Sequence, residues 1–140
     1  ASNLFEQDHD GLLGMAMARH EQVTTHSAMN NMAHPVFAVD KRKGKACIGC
    51  TLEPSPEYHV QRATLQPNPF NDHIRVPTVQ HFGQVLILDT GSTATANLTA
   101  VGLPAGTGCL VGNADIQYLQ VEGNMIQYAL MPGTLDRCQL

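Results

Sequence analysis

The sequence predicts a mainly β protein: a small antiparallel β-sandwich or barrel over residues 35–140, preceded by a partly helical N-terminal arm over residues 1–34. Three observations carry this reading. From Pro35 onward, short apolar or alternating runs recur between Gly and Pro turn signals, the pattern of a sandwich or barrel rather than a layered α/β fold. Two of those runs flank Glu122-Gly123-Asn124, and Gly-Asn tolerates the positive φ that a tight hairpin turn requires. Finally, 140 residues fit one domain, and with no Trp, four Phe and three Tyr its core must be built from Val, Ile, Leu, Met and Ala.

The arm differs from the rest in holding four of the six Met and four of the seven His. Leu12, Met15, Ala16 and Arg19 fall on one side at helical spacing, with Asp10-Gly11 as a start signal, so a short helix over about 11–21 is expected. Val23-Thr24-Thr25 lowers helix propensity, leaving 22–34 irregular or weakly helical. The flexible Met side chains suit either an arm laid over a neighbour or a segment folded back on its own domain.

Val36–Val39 and Ala46–Cys50 flank the polar run Asp40 to Lys45 and read as a hairpin. Tyr58 to Leu65 reads as a strand, ended by Pro67-Asn68-Pro69, and Pro77 limits Ile74-Arg75-Val76 to a short or edge strand. The continuous apolar run Val85 to Leu88 has the form of a strand buried on both faces. Thr95 to Val101 has strand tendency, residues 102–108 form a Gly-rich loop, and alternation over about 115–131 predicts the clearest hairpin.

Charge gives the strongest functional signal. The sixty residues between Arg75 and Asp136 carry only Asp89, Asp115 and Glu122, and charged residues make up 14% of the whole chain against a usual value of about 25%. A surface so poor in charge is suited to being covered. The composition therefore predicts a structural or assembly protein, a homo-oligomer or part of a larger protein assembly, such as a virion component that decorates a capsid (a cement protein), closing through the 76–135 face. The net charge of −4 and the lack of aromatics around the cationic run Lys41-Arg42-Lys43-Gly44-Lys45 argue against nucleic acid. No apolar stretch is long enough for a membrane helix and no signal-peptide pattern is seen, so the expectation is a soluble protein with no cofactor.

Other residues compete for a chemical role. Cys47-Ile48-Gly49-Cys50 has the two-residue gap of a zinc knuckle or a redox dithiol, but structural thiols or one or two disulfides rank ahead of metal and metal ahead of redox chemistry, and the four Cys allow three pairings. Zinc would draw further ligands from His34, His59, Cys109 or Cys138, making a small metal-binding β-domain. The seven His lack the spacing that places two rings on one helical face. Asn97-Leu98-Thr99 matches the N-glycosylation pattern.

Val85-Leu86-Ile87-Leu88-Asp89-Thr90-Gly91-Ser92-Thr93 resembles the catalytic signature of aspartic proteases, an apolar strand delivering Asp-Thr-Gly. Leu110-Val111-Gly112-Asn113-Ala114-Asp115 resembles their later apolar-Gly segment, about twenty residues after Asp89 instead of about sixty. The resemblance implies that Asp89 is a catalytic carboxylate, that Thr90 and Gly91 shape its loop, and that a second Asp shares its proton. With no second Asp-Thr-Gly or Asp-Ser-Gly, that Asp would come from a symmetric dimer of the retroviral-like type. The assembly reading ranks first at this level because it alone accounts for the charge-poor half.

Overall fold

In the computed structural model, which describes residues 13–18, 27–66, 74–102 and 108–139, eleven strands form in chain order. They are β1 (Met17–Ala18), β2 (Val36–Asp40), β3 (Lys45–Ile48), β4 (Gln61–Thr64), β5 (Ile74–Arg75), β6 (Thr78–His81), β7 (Gln84–Asp89), β8 (Ala96–Asn97), β9 (Cys109–Gly112), β10 (Ile116–Glu122) and β11 (Met125–Leu130). The five-stranded sheet has the order β3-β2-β10-β11-β4 and is antiparallel throughout. The four-stranded sheet has the order β6-β7-β9-β8, and β1 pairs with β5 in a small separate ladder. The two larger sheets pack face to face as an open sandwich, without closing into a barrel.

The core lies between those sheets. Phe37, Leu119, Val121, Ile126 and Tyr128 from the first meet Val79, Leu86, Leu88, Cys109 and Val111 from the second. β10 supplies Leu119 and Val121 to this core by strict alternation. A register shift between Ile116 and Tyr118 adds a residue there, which brings Ile116 to the same core face as Leu119. The opposite face of β10 is covered as well: Tyr118 is buried with Tyr58 and Ala129, and Leu52 and Val60 of the 49–60 segment pack against them.

That outer layer is polar and hydrogen-bonded. Leu52 donates its N–H to Gln120 Oε1 (3.1 Å), and the Tyr118 hydroxyl lies 2.7 Å from Leu52 O and 3.0 Å from the same Gln120 oxygen. Asp40, with no exposed surface, accepts the Tyr58 hydroxyl at 2.7 Å and the Lys43 N–H at 3.3 Å on Oδ1. Its Oδ2 has no hydrogen-bond partner.

The expected elements appear at β2–β3, β4, β5, β7 and β10–β11, with two differences of kind. The antiparallel expectation fails at one ladder: β9 enters between β7 and β8, so it runs parallel to β7 and antiparallel to β8. The helix expected over 11–21 also fails where it is described, since residues 13–16 take no regular structure and Met17–Ala18 pair with Arg75 and Ile74. A helix of three turns is marginal by itself, and pairing with β5 satisfies the same backbone groups. Residues 11, 12 and 19–21 lie outside the described residues, as do the Pro67-Asn68-Pro69 break and most of the 102–108 loop. Of the two paths open to the arm, its described part folds back. Met29 is fully buried, Met15 and Met32 pack on the core, and Ser27 donates its hydroxyl to Ala16 O at 2.9 Å. The strand expected over 95–101 shrinks to Ala96–Asn97, because Leu98 turns into the interior and residues 98–102 form turns.

Gly112 is what allows β9 its place. A Cβ there would stand 2.5 Å from Ala94 O and 2.6 Å from Ala94 C, a clash with backbone rather than with a flexible side chain. Replacing Gly112 with Val is therefore expected to cost about 3 kcal/mol or more, read as a lowered denaturation midpoint in urea; a midpoint within error of the parent would show that β9 does not thread this gap.

Candidate functional site

Asp89 is the last residue of β7, whose preceding residues Leu86, Ile87 and Leu88 are all buried. The strand thus holds a half-buried carboxylate at the edge of the sandwich. The Gly91 N–H donates to Asp89 Oδ1 at 2.9 Å and the Ser92 N–H to Asp89 O at 3.1 Å, closing a tight turn around the side chain. A Cβ at Gly91 would sit 3.2 Å from that same Oδ1, so glycine keeps this approach open. Across the parallel ladder, Asp89 is in register with Gly112. The two segments that carry the aspartic-protease resemblance are therefore adjacent strands.

The loop after Asp89 is fixed from the other side. Asn113 donates its N–H to Ser92 O at 2.6 Å, and Gly112 donates to Thr95 Oγ1 at 2.9 Å. Thr95 passes its own proton to Asp115 Oδ2 at 2.5 Å, while Arg137 pairs with Asp115 Oδ1 at 2.9 Å. Asp115 is thereby committed to holding the loop. Thr90 differs from the role that the resemblance implies, being exposed at the rim rather than supporting the turn from below.

Asp89, Thr90 and Gly91 border a cavity of about 430 Å³ whose remaining wall is mostly apolar, with Met15, Phe37 and Leu119 prominent and Leu13 of the arm beside them. Its size falls in the range of sites that take a small molecule or a few peptide side chains. A carboxylate at the rim of an apolar cavity can bind a cation or polarise a water; moving a proton between two carboxylates needs a second one brought against it.

A second cavity, of about 410 Å³, lies at the opposite end of β7, roughly 17 Å of strand away. His81, Phe82, Tyr128, His59 and Asp136 are among its lining residues. Nδ1 of His81 lies 2.7 Å from the Tyr128 hydroxyl, hydrogen-bonded in either imidazole tautomer. Burial pushes Tyr128 up to about 12 and lowers His81 below its ordinary value of 6.5. The dispersed spacing of the His residues gave no sign of this pair, which depends on β6 of one sheet meeting β11 of the other. Phe82 holds the turn between β6 and β7 at φ 49, with its ring edge-on to His81 at 4.7 Å and its surface 87% exposed.

The cysteines form two disulfides, Cys47–Cys50 and Cys109–Cys138. In this structure the sulfurs of Cys47 and Cys50 are joined to each other, and among the described residues no group of three or more His, Cys, Asp or Glu is placed to hold a metal ion. Cys109–Cys138 is buried and ties the C-terminal 3₁₀ turn (Thr134–Cys138) to β9. Asn97 is buried too, giving its side-chain N–H to Cys138 O at 3.0 Å, so it is not presented for glycosylation. The cationic run forms the exposed β2–β3 turn, where Arg42 pairs with Glu57 and Lys41 and Lys43 reach the carbonyls of Asn113 and Glu53. His34 and His59 are exposed. Among the described residues no helix is long and apolar enough to cross a membrane.

Comparison with protein-family models, with curated proteins and with solved structures finds no match for this chain.

The lowered His81 value sets the sign of a pH effect. The folded state disfavours the charged ring, so this residue's contribution is fully present above pH 6.5 and is lost as pH falls through the lower folded value. Denaturation of the parent and of His81→Gln between about pH 8 and about pH 5 is expected to show a steeper acid-side loss in the parent; parallel curves would exclude a burdened His81.

Proposed function

We propose that this chain forms one lobe of an aspartic-protease-type site, with Asp89 as one carboxylate of the catalytic pair. The observation that carries the reading is the ladder between β7 and β9: the Asp-Thr-Gly strand and the apolar-Gly strand lie side by side, with Asp89 opposite Gly112. An Asp in a turn closed by Gly91 and bordering an apolar cavity is the arrangement from which a carboxylate can face its counterpart across a substrate. The opposing lobe is a second copy of this chain or an equivalent lobe carrying its own Asp. Two carboxylates so placed share a proton; the ionised one takes a proton from water as it attacks a peptide carbonyl, and the protonated one donates to that carbonyl's oxygen.

The assembly reading keeps a specific support of its own. Phe82 is bulky, almost fully exposed and held at positive φ, a conformation that costs a non-glycine residue about 1–2 kcal/mol. It sits in the charge-poor half, where Val101, Met125 and Met131 are also exposed. A strained apolar side chain on a turn tip suits a contact made there. This reading ranks second because burial on both faces of β10 accounts for part of the missing charge, whereas nothing about a contact surface explains the Asp89 turn.

The two readings separate by experiment. Peptide hydrolysis between about pH 3 and 5 by the dimeric species is expected to vanish in Asp89→Asn with the denaturation midpoint unchanged. Hydrolysis that survives the substitution, or a dimer that never hydrolyses, would sink the protease reading. Phe82→Asn relieves the strained φ and is expected to raise the midpoint by about 1 kcal/mol. If sedimentation shows the variant as associated as the parent, Phe82 is not an assembly contact.

A further inference from the structure

We propose that the Cys47–Cys50 disulfide is a thiol-exchange site, opened by low-molecular-weight anionic thiols of the glutathione class while Cys109–Cys138 stays closed. The two cross-links differ in everything that governs access. Cys109 and Cys138 are 0% and 2% exposed, inside the core cluster with Leu86 and Val111. Cys47 is half-buried on β3, an edge strand that has only β2 as a neighbour, and Cys50 is exposed two residues beyond that strand's end. Ile48 between them is 58% exposed, and Gly49, at φ 80, turns the chain outward while its N–H donates to Val36 O at 2.7 Å. That anchor and the four-residue ladder to β2 hold the backbone in place whether or not the sulfurs are joined.

Charge favours the same bond. Four of the eight Lys and Arg residues lie within Lys41–Lys45, immediately before Cys47. Glu57 offsets Arg42, but Lys41 and Lys43 meet neutral carbonyls and keep their charge. Lys45 lies two residues before Cys47 and so shares its strand face. A positive surrounding draws an anionic thiol to the site and stabilises a departing thiolate, and exchange is faster the better the leaving thiolate is stabilised.

The exchange balances without any further reagent. The incoming thiolate attacks Sγ of exposed Cys50, a mixed disulfide forms there, the Sγ–Sγ bond breaks and its electron pair leaves on Cys47. A second thiolate then attacks the mixed disulfide and releases the oxidised small molecule, and both Cys sulfurs take up protons from solution to give the dithiol.

The test uses the native chain in buffers of reduced and oxidised glutathione, quenched with an alkylating reagent and mapped by peptide mass spectrometry. Labelling of Cys47 and Cys50 is expected to be at least about tenfold faster than that of Cys109 and Cys138, with the glutathione adduct on Cys50. Lys45→Gln is expected to slow the opening severalfold with an unchanged circular dichroism spectrum, and Cys47→Ser to trap the adduct. Opening of both disulfides together, opening only under denaturing conditions, or an adduct confined to Cys47 would overturn the proposal.

Discussion

The structure depends on one close passage, that of β9 between β7 and β8. Without it the second sheet would be a hairpin, β6–β7, with nothing to pair beyond it. With it, Val111 and Cys109 enter the core, the 90–95 turn gains its anchors in Asn113 and Gly112, and the C-terminal turn is tied down through Cys109–Cys138. A cross-link spanning 29 residues removes much more freedom from the unfolded chain than one spanning 3. The passage has no room for a side chain at Gly112, and the polar groups it buries are matched in a chain from Gly112 through Thr95 and Asp115 to Arg137. Loss of any one of these leaves another without a partner, which is why the passage behaves as a unit.

The same passage determines what Asp89 is able to do. A carboxylate at the end of an edge hairpin would turn freely in water. Here β7 is covered on both sides, by β6 and β9, so its last residue is aimed by a rigid strand instead of a mobile loop. The Gly91 amide then fixes the carboxylate's rotation. In the proposed reading, the like charge that would split the protonation of two carboxylates comes from an opposing lobe.

How much of this was legible in the sequence follows from which contacts are local. The β2–β3 and β10–β11 hairpins could be read because each is fixed by its own turn and by alternation within a few residues. The parallel partner of β7 could not: β9 carries only the four residues Cys109 to Gly112, and its choice of neighbour rests on tertiary contacts with no period of their own. The pairing of the four Cys was likewise undetermined, since three connectivities satisfy the same spacing. Asp89, Thr90 and Gly91 were visible as a motif, yet Thr90's outward position and the His81–Tyr128 pair needed the sheets to be in place. In the arm, the helical spacing is not realised at Met15 and Ala16, which take no regular structure, while Met17–Ala18 pair with β5; a short isolated helix is marginal by itself.

The charge-poor stretch also takes on a more exact meaning. Part of it is β10 and β11, and β10 is buried on both faces, against the core through Leu119 and Val121 and under residues 52–60 through Tyr118 and Gln120. A strand covered twice has no solvent face on which Lys or Glu would be at home, and its polar positions must end in hydrogen bonds that stay inside the protein. Gln120 does so with the Leu52 N–H, an arrangement that a charged side chain could not enter without an ion to match it. The absence of charge at these positions is thus a consequence of intramolecular covering. Where Phe82, Val101, Met125 and Met131 are left facing water, the composition points outward to something the chain does not itself supply.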